Sequence, residues 1–273
     1  MPHITIHGQD LHYLDRGAGF PVVFGESYLW DAAMWAPQVE GLSTRYRCIV
    51  PELWGHGKSG TVPEVPYSMS KLAGDMRGLA DGLGLDQFAI VGLSVGGIWG
   101  IEMALDCPDR VKALVLMDTV AGAEPTATRA LYFGMLDVME RVGAIPPPLA
   151  EQVVPLYFAP ETLTDNPTLV DGFRRSLLEI GKDRLASIVA LGRAIFSRPS
   201  LHERLGEIRC PTLVAVGRHD RPRPVPESQA LAAAIAGARL EIIEGAGHIS
   251  ALEQPQRVLA MLEAFLSSAL QTS

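Results

Sequence analysis

The strongest constraint on this chain is an alternation. Apolar runs of strand length at residues 21–24, 47–51, 88–91, 111–117, 212–217 and 240–243 take turns with stretches of helical periodicity at 33–43, 69–83, 95–106, 227–236 and 254–270. One of these runs contains Ala113-Leu114-Val115-Leu116-Met117, with no polar residue in it. A strand with one wet face would alternate, so this one must be covered on both faces, as in a parallel sheet. Parallel neighbours need crossover connections, which the helical stretches supply, and right-handed crossovers wind helices onto both sides. The expected fold class is α/β, a doubly wound, mostly parallel sheet. The opening runs 4–7 and 11–15, joined by Gly8-Gln9-Asp10, predict an antiparallel hairpin at one edge.

The alternation breaks once. From about 119 to 208 there is helical pattern and proline but no good strand. A structureless loop of that length is implausible in a compact chain, so the interval is expected to be an inserted helical lid. Pro146-Pro147-Pro148 and Ala159-Pro160 separate its helices. The predicted division is a core of residues 1–118 and 209–273 with a lid of residues 119–208. At 273 residues, 48% of them hydrophobic, one large core with an insertion is enough to account for the chain.

Charge and cysteine usage exclude several classes of function. The 23 basic and 31 acidic residues give −8, which repels polyphosphate and anionic membranes, so neither nucleic acid nor a membrane surface is an expected partner. No apolar run is long enough to span a bilayer. Cys48, Cys107 and Cys210 are far apart and lack metal-ligand spacing, which predicts buried free thiols. The seven histidines are equally scattered, so no metal and no cofactor is expected. The start, Met1-Pro2-His3-Ile4-Thr5-Ile6-His7, alternates like a strand and lacks the pattern of a secretion signal, which points to the cytoplasm.

The chemistry is concentrated where strands end. Directly after the apolar run 88–91 stands Gly92-Leu93-Ser94-Val95-Gly96-Gly97, and a helical stretch follows. Strand, G-x-S-x-G and helix form a nucleophile elbow, in which small flanking residues permit a sharp turn that lifts the serine hydroxyl above the sheet. A serine hydroxyl is a weak nucleophile, so it needs a base and a group that orients the base. His248, in Gly245-Ala246-Gly247-His248 after the strand 240–243, is the candidate base. Asp220, in Gly217-Arg218-His219-Asp220 after the strand 212–217, is the candidate acid, and Asp118 at the end of the preceding strand is its rival. Arg218, Arg221 and Arg223 around Asp220 read as a solvated loop. The order Ser, Asp, His suits a serine hydrolase on an open α/β sheet.

With these residues in place, the chain resembles the lid-bearing α/β-hydrolase superfamily along nearly its whole length. The likeness runs from the early strand through Val50-Pro51-Glu52-Leu53-Trp54-Gly55-His56-Gly57-Lys58-Ser59 to the final Gly-His loop. Among lid-bearing members it is similar to carboxylesterases and to 3-oxoadipate enol-lactonase-like enzymes. The resemblance implies an oxyanion hole made by the amides of Tyr28 and Val95. It departs from the family at Glu26-Ser27-Tyr28, where relatives usually carry His-Gly-X. A carboxylate beside a developing oxyanion would repel it, so Glu26 is expected to point away and act structurally. Glu52, where relatives commonly have aspartate, is expected to shape the Gly-His-Gly loop.

The resemblance further implies a pocket built from Tyr28, Leu29 and Trp30 on the oxyanion loop and from Tyr132, Phe133, Met135 and Phe196 on the lid. These residue types suit an apolar acyl or alcohol group on a small-molecule ester or lactone. A serine at 94 argues against haloalkane dehalogenases and epoxide hydrolases of this fold, which use aspartate there. Carbon-carbon bond hydrolases, lactonases and perhydrolases use the same three residues and stay open, as does a slow-turnover receptor on the same fold. Oligomeric state is not legible in the sequence.

Overall fold

A computed structural model describes residues 2–271. Eight strands, β1 (His3–Ile6), β2 (Gln9–Arg16), β3 (Phe20–Gly25), β4 (Tyr46–Pro51), β5 (Phe88–Leu93), β6 (Val111–Met117), β7 (Thr212–Gly217) and β8 (Arg239–Ile243), form one sheet in the order β1-β2-β4-β3-β5-β6-β7-β8. The first two ladders, β1 with β2 and β2 with β4, are antiparallel, and every later pair is parallel. The mostly parallel, doubly wound sheet expected from the alternation is thus present.

The edge hairpin differs from expectation in its turn. Ile6 pairs with Gln9, so the loop is His7-Gly8 rather than Gly8-Gln9-Asp10. Both loop residues have positive φ, 49° at His7 and 78° at Gly8. That is the type I′ geometry whose twist matches the flanking strands.

The α-helices before β6 are α1 (Ala36–Leu42), α2 (Met69–Gly82) and α3 (Val95–Asp106). Between β6 and β7 stand α4 (Thr126–Val142), α5 (Pro147–Tyr157), α6 (Pro160–Asp165), α7 (Pro167–Leu178) and α8 (Lys182–Phe196). After β7 come α9 (Val225–Ala234), α10 (Ser250–Glu253) and α11 (Pro255–Leu270). Both α3 and α11 pack on β6, and every residue of that strand except Lys112 is buried. Helices therefore cover both faces, as its unbroken apolar sequence requires. Trp35, Trp54, Trp99, Phe24 and Phe88 are the largest side chains wholly enclosed in the core. Among the described residues no helix is long and apolar enough to cross a membrane. Cys48 is buried and its thiol is pushed up to about 12 by desolvation, whereas Cys107 and Cys210 are half-buried.

Candidate active site

β5 ends at Leu93 and α3 begins at Val95, which leaves one residue to reverse the chain. That residue is Ser94, held at φ 55° and ψ −116°, a conformation that a residue with a side chain rarely adopts. The surrounding packing enforces it. A methyl group at Gly92 would sit 2.3 Å from the carbonyl oxygen of Gly96, and one at Gly96 would sit 2.3 Å from that of Gly25. The missing side chains let the elbow press against the end of β3, where the loop carrying Tyr28 begins. Gly96 N donates to Glu26 O across that junction at 3.2 Å, while Gly97 N and Ile98 N donate to Ser94 O. None of these bonds uses the amide of Val95 or Tyr28.

β7 and β8 bring the other two residues in. Asp220 Oδ1 accepts from Arg223 N at 2.9 Å, and its Oδ2 lies 2.9 Å from Nδ1 of His248. With Nδ1–H donating to the carboxylate, Nε2 of the imidazole carries the free lone pair. Both side chains are buried, and desolvation lowers the pKa of His248, so the ring is neutral at neutral pH. Ser94 and His248 line the same cavity.

Asp118, the rival acid, is fully buried and otherwise committed. Its Oδ1 accepts from Gly217 N at 2.8 Å and its Oδ2 from Ser250 Oγ at 2.5 Å. It thereby ties the end of β7 to the turn after His248. Burial, reinforced by the nearby Asp220 carboxylate, pushes its pKa well above the usual range.

Glu26 is buried and turned toward the loop that follows β4, where Oε1 accepts from Leu53 N at 2.7 Å. Desolvation raises its pKa, and Oε2 has no hydrogen-bond partner among the described residues. Burial thus disfavours a charge on Glu26 beside the loop that carries Tyr28. Glu52 Oε2 accepts from Lys58 N at 2.6 Å and lies 2.8 Å from His12 Nδ1, and so shapes the Gly55-His56-Gly57 turn. In that turn His56 Nδ1 donates to Trp54 O at 2.9 Å, and its Nε2 accepts from Leu29 N at 3.0 Å. Burial lowers His56 to about 4, which keeps Nε2 free to accept.

The cavity measures about 90 Å³, the liquid volume of about three waters at ~30 Å³ each. Tyr28, Leu29, Tyr132, Met135 and Phe196 line it, and so do Ile98, Tyr157 and Arg198, which sequence reasoning did not single out. Trp30 and Phe133 are corrections, since neither belongs to the lining. Trp30 stacks on Phe173 with ring centroids 4.5 Å apart and meets Tyr157 and Phe158, so its ring packs among aromatic side chains. Phe133 lies one residue round α4 from Tyr132, on a face where its ring packs under the Arg193 guanidinium at 5.4 Å.

The arginines after β7 also need correction. Arg218 is exposed and paired with Glu244, and Arg221 is exposed, but Arg223 is buried. Its Nη2 donates to Glu124 Oε2 at 2.6 Å, and Arg198 Nη1 donates to the same oxygen at 3.0 Å. Among the described residues no cluster of three or more His, Cys, Asp or Glu is arranged to hold a metal ion.

Comparison with known proteins agrees with this architecture. The profile of the alpha/beta hydrolase fold family matches residues 21–255. The 3-oxoadipate enol-lactonase 2 of Acinetobacter baylyi is 30% identical over 267 residues, 96% of each chain. A thermophilic esterase from Thermogutta terrifontis superposes with a TM-score of 0.90 at 29% identity, covering 98% of this chain and 99% of that one. The enol-lactonase from Burkholderia xenovorans superposes with a TM-score of 0.88 at 28% identity, covering 97% and 100%. A profile match spanning most of the chain, on a sheet of this order with a strained serine at the end of its central strand, places the protein in the α/β-hydrolase fold family.

Proposed function

We propose that the protein is a serine hydrolase that cleaves a small carboxylic ester through an acyl-enzyme. The observation that carries this reading is the buried 2.9 Å contact of His248 Nδ1 with Asp220 in a cavity that Ser94 also lines. Ser94 Oγ adds to the ester carbonyl as His248 Nε2 takes its proton, and Asp220 steadies the imidazolium that forms. The amides of Tyr28 and Val95 receive the developing oxyanion. His248 then gives the proton to the leaving alcohol, the acyl group stays on Ser94 Oγ, and water repeats the cycle to release the acid.

A lactone is a cyclic ester, and the likeness to two enol-lactonases supports it as a substrate form. The small cavity supports a short acyl or alcohol group. We assign the five helices within residues 119–208 the role of a lid, supported by the cavity residues that α4, α5 and α8 contribute. The three unpaired cysteines support a reducing compartment such as the cytoplasm.

Labelling with a fluorophosphonate, followed by turnover of a short p-nitrophenyl ester, tests the reading. Modification at Ser94 with turnover lost in Ser94→Ala is expected. No labelling indicates a binding protein instead, and labelling without turnover indicates a slow receptor.

A further inference from the structure

One end of the cavity is charged, and the relay gives that charge no task. Arg198 follows α8 and is 96% buried, with a relative exposure of 4%. Its Nη1 donates to Glu124 Oε2 and to Ile195 O at 3.0 and 2.8 Å. Nε and Nη2 are buried with no hydrogen-bond partner among the described residues. These two atoms form one edge of the guanidinium, the edge that matches the two oxygens of a carboxylate with parallel hydrogen bonds. A guanidinium stays protonated at physiological pH, and an unpaired buried cationic edge is costly.

The neighbouring charges do not remove the need. Glu124 is shared between Arg198 and Arg223, so two guanidinium groups meet on one wholly buried carboxylate oxygen. Glu227, partly exposed, reaches only Arg223, at 3.4 Å. Arg223 and Arg198 both line the cavity, and the rest of its wall is largely apolar, as at Ile98, Leu136, Met139 and Ile195. A neutral alkyl ligand would leave the Arg198 edge unmatched.

We propose that Arg198 is the specificity residue for a carboxylate on the substrate: the ester cleaved at Ser94 carries an anionic end that the free Nε–Nη2 edge holds. This rests on the serine-hydrolase reading above. Glu124 and the carbonyl of Ile195 hold the opposite corner at Nη1. Binding would bring Arg198 a carboxylate of its own, where it now shares Glu124 with Arg223.

Two isomeric esters test it and separate the two sides of the scissile bond. Monomethyl glutarate has its carboxylate on the acyl side, and γ-acetoxybutyrate has it on the alcohol side. Each is compared with its primary amide, a neutral isostere. In at least one pair the wild-type enzyme should favour the carboxylate by tenfold or more in kcat/KM, and Arg198→Met should bring that ratio close to one. Arg198→Lys keeps the charge but lacks the fork, so it should lower the ratio severalfold, and it serves if the Met variant does not fold.

Amides hydrolysed as well as the carboxylates in both pairs would overturn the proposal. So would a preference that survives Arg198→Met, or hydrolysis of p-nitrophenyl acetate with none of the four esters turned over. Failure of the underlying reading is distinguishable, because Ser94 would then not be labelled and no ester of any charge would react.

Discussion

The phenol of Tyr157, at the end of α5, donates a 2.7 Å hydrogen bond to the main-chain carbonyl of Tyr28. The carbonyl of Tyr157 itself accepts from Ile249 N at 3.1 Å, next to His248. The Tyr28 hydroxyl in turn donates to Ile188 O on α8 at 2.8 Å. One residue of the intervening helices thus fixes both the loop assigned to the oxyanion and the loop of the assigned base.

Tyr157→Phe deletes the donor and leaves the Tyr28 carbonyl buried and unpaired, a cost of about 1–3 kcal/mol. A shifted loop should also lower kcat/KM, on the order of tenfold, because small misplacements of reacting groups are expensive. Thermal melting and steady-state kinetics check both, and a variant that matches the wild type in each would refute the linkage.

Asp220 and Asp118 make opposite predictions. Asp220→Asn should retain the fold and lose roughly 10³–10⁴ in kcat, since an amide no longer fixes the imidazole tautomer. Asp118→Asn disturbs the bonds to Gly217 N and Ser250 Oγ, so it should cost stability, about 1–3 kcal/mol, with a much smaller loss of rate. Denaturation curves and rates for the two variants decide, and a reversed ranking would assign the orienting role to Asp118.

Burial lowers the pKa of His248. The ring must be neutral to accept the serine proton, and a lowered pKa keeps it so at pH values where free imidazole is charged. The acid limb of the kcat/KM profile should therefore have its midpoint below about 6.5, the ordinary histidine value. A midpoint at or above that value would contradict the buried, neutral base.

Glu26 offers a test of the opposite sign. Its folded-state pKa is raised by burial, so the folded protein holds a proton that the unfolded chain releases above pH ~4.5. The stability from this group is complete below that value and is lost as pH rises toward the folded pKa. Glu26→Gln has no proton to lose and keeps an oxygen for Leu53 N. It should match the wild type near pH 4.5 and become the more stable of the two as pH rises, by up to about 1.4 kcal/mol per pH unit. Urea denaturation across that window checks the divergence, and parallel curves would mean that Glu26 is ionised in the fold.

The elbow predicts a steric effect. A methyl group at Gly96 would lie 2.3 Å from Gly25 O, a main-chain atom that cannot rotate away. Gly96→Ala should push the Tyr28 loop from the start of α3, with activity lowered tenfold or more and a reduced melting temperature. An active, stable variant would show that the junction has slack.

The elements that sequence pattern located best were those with sharp chemical edges. β6 runs from Val111 to Met117, as expected, because its apolar run is bounded by charge at Arg110 and Asp118. α3 runs from Val95 to Asp106, as expected, since the elbow fixes its start. The edge turn was misread because a positive φ at His7 is not dictated by residue type. Ser94, Asp220 and His248 drew attention because each follows a strand in a glycine-containing loop, a local signal. Arg198 and Glu124 carried no such signal. They meet across 74 positions of sequence, and nothing near either residue announces the other. Trp30 failed for a related reason, since its partner Phe173 lies on α7, far along the chain.

The chain leaves the sheet after β6 and re-enters it at the adjacent β7, so the five helices between them begin and end on neighbouring strands. Exchanging such a segment re-routes none of the strands of the eight-stranded platform. A successful graft must still meet docking conditions set by the platform, among them a donor for the Tyr28 carbonyl, acceptors for the Tyr28 hydroxyl and for Ile249 N, and a carboxylate for the Arg223 guanidinium. Chimeras that ignore any of them should assemble poorly, whatever ligand they were designed to admit.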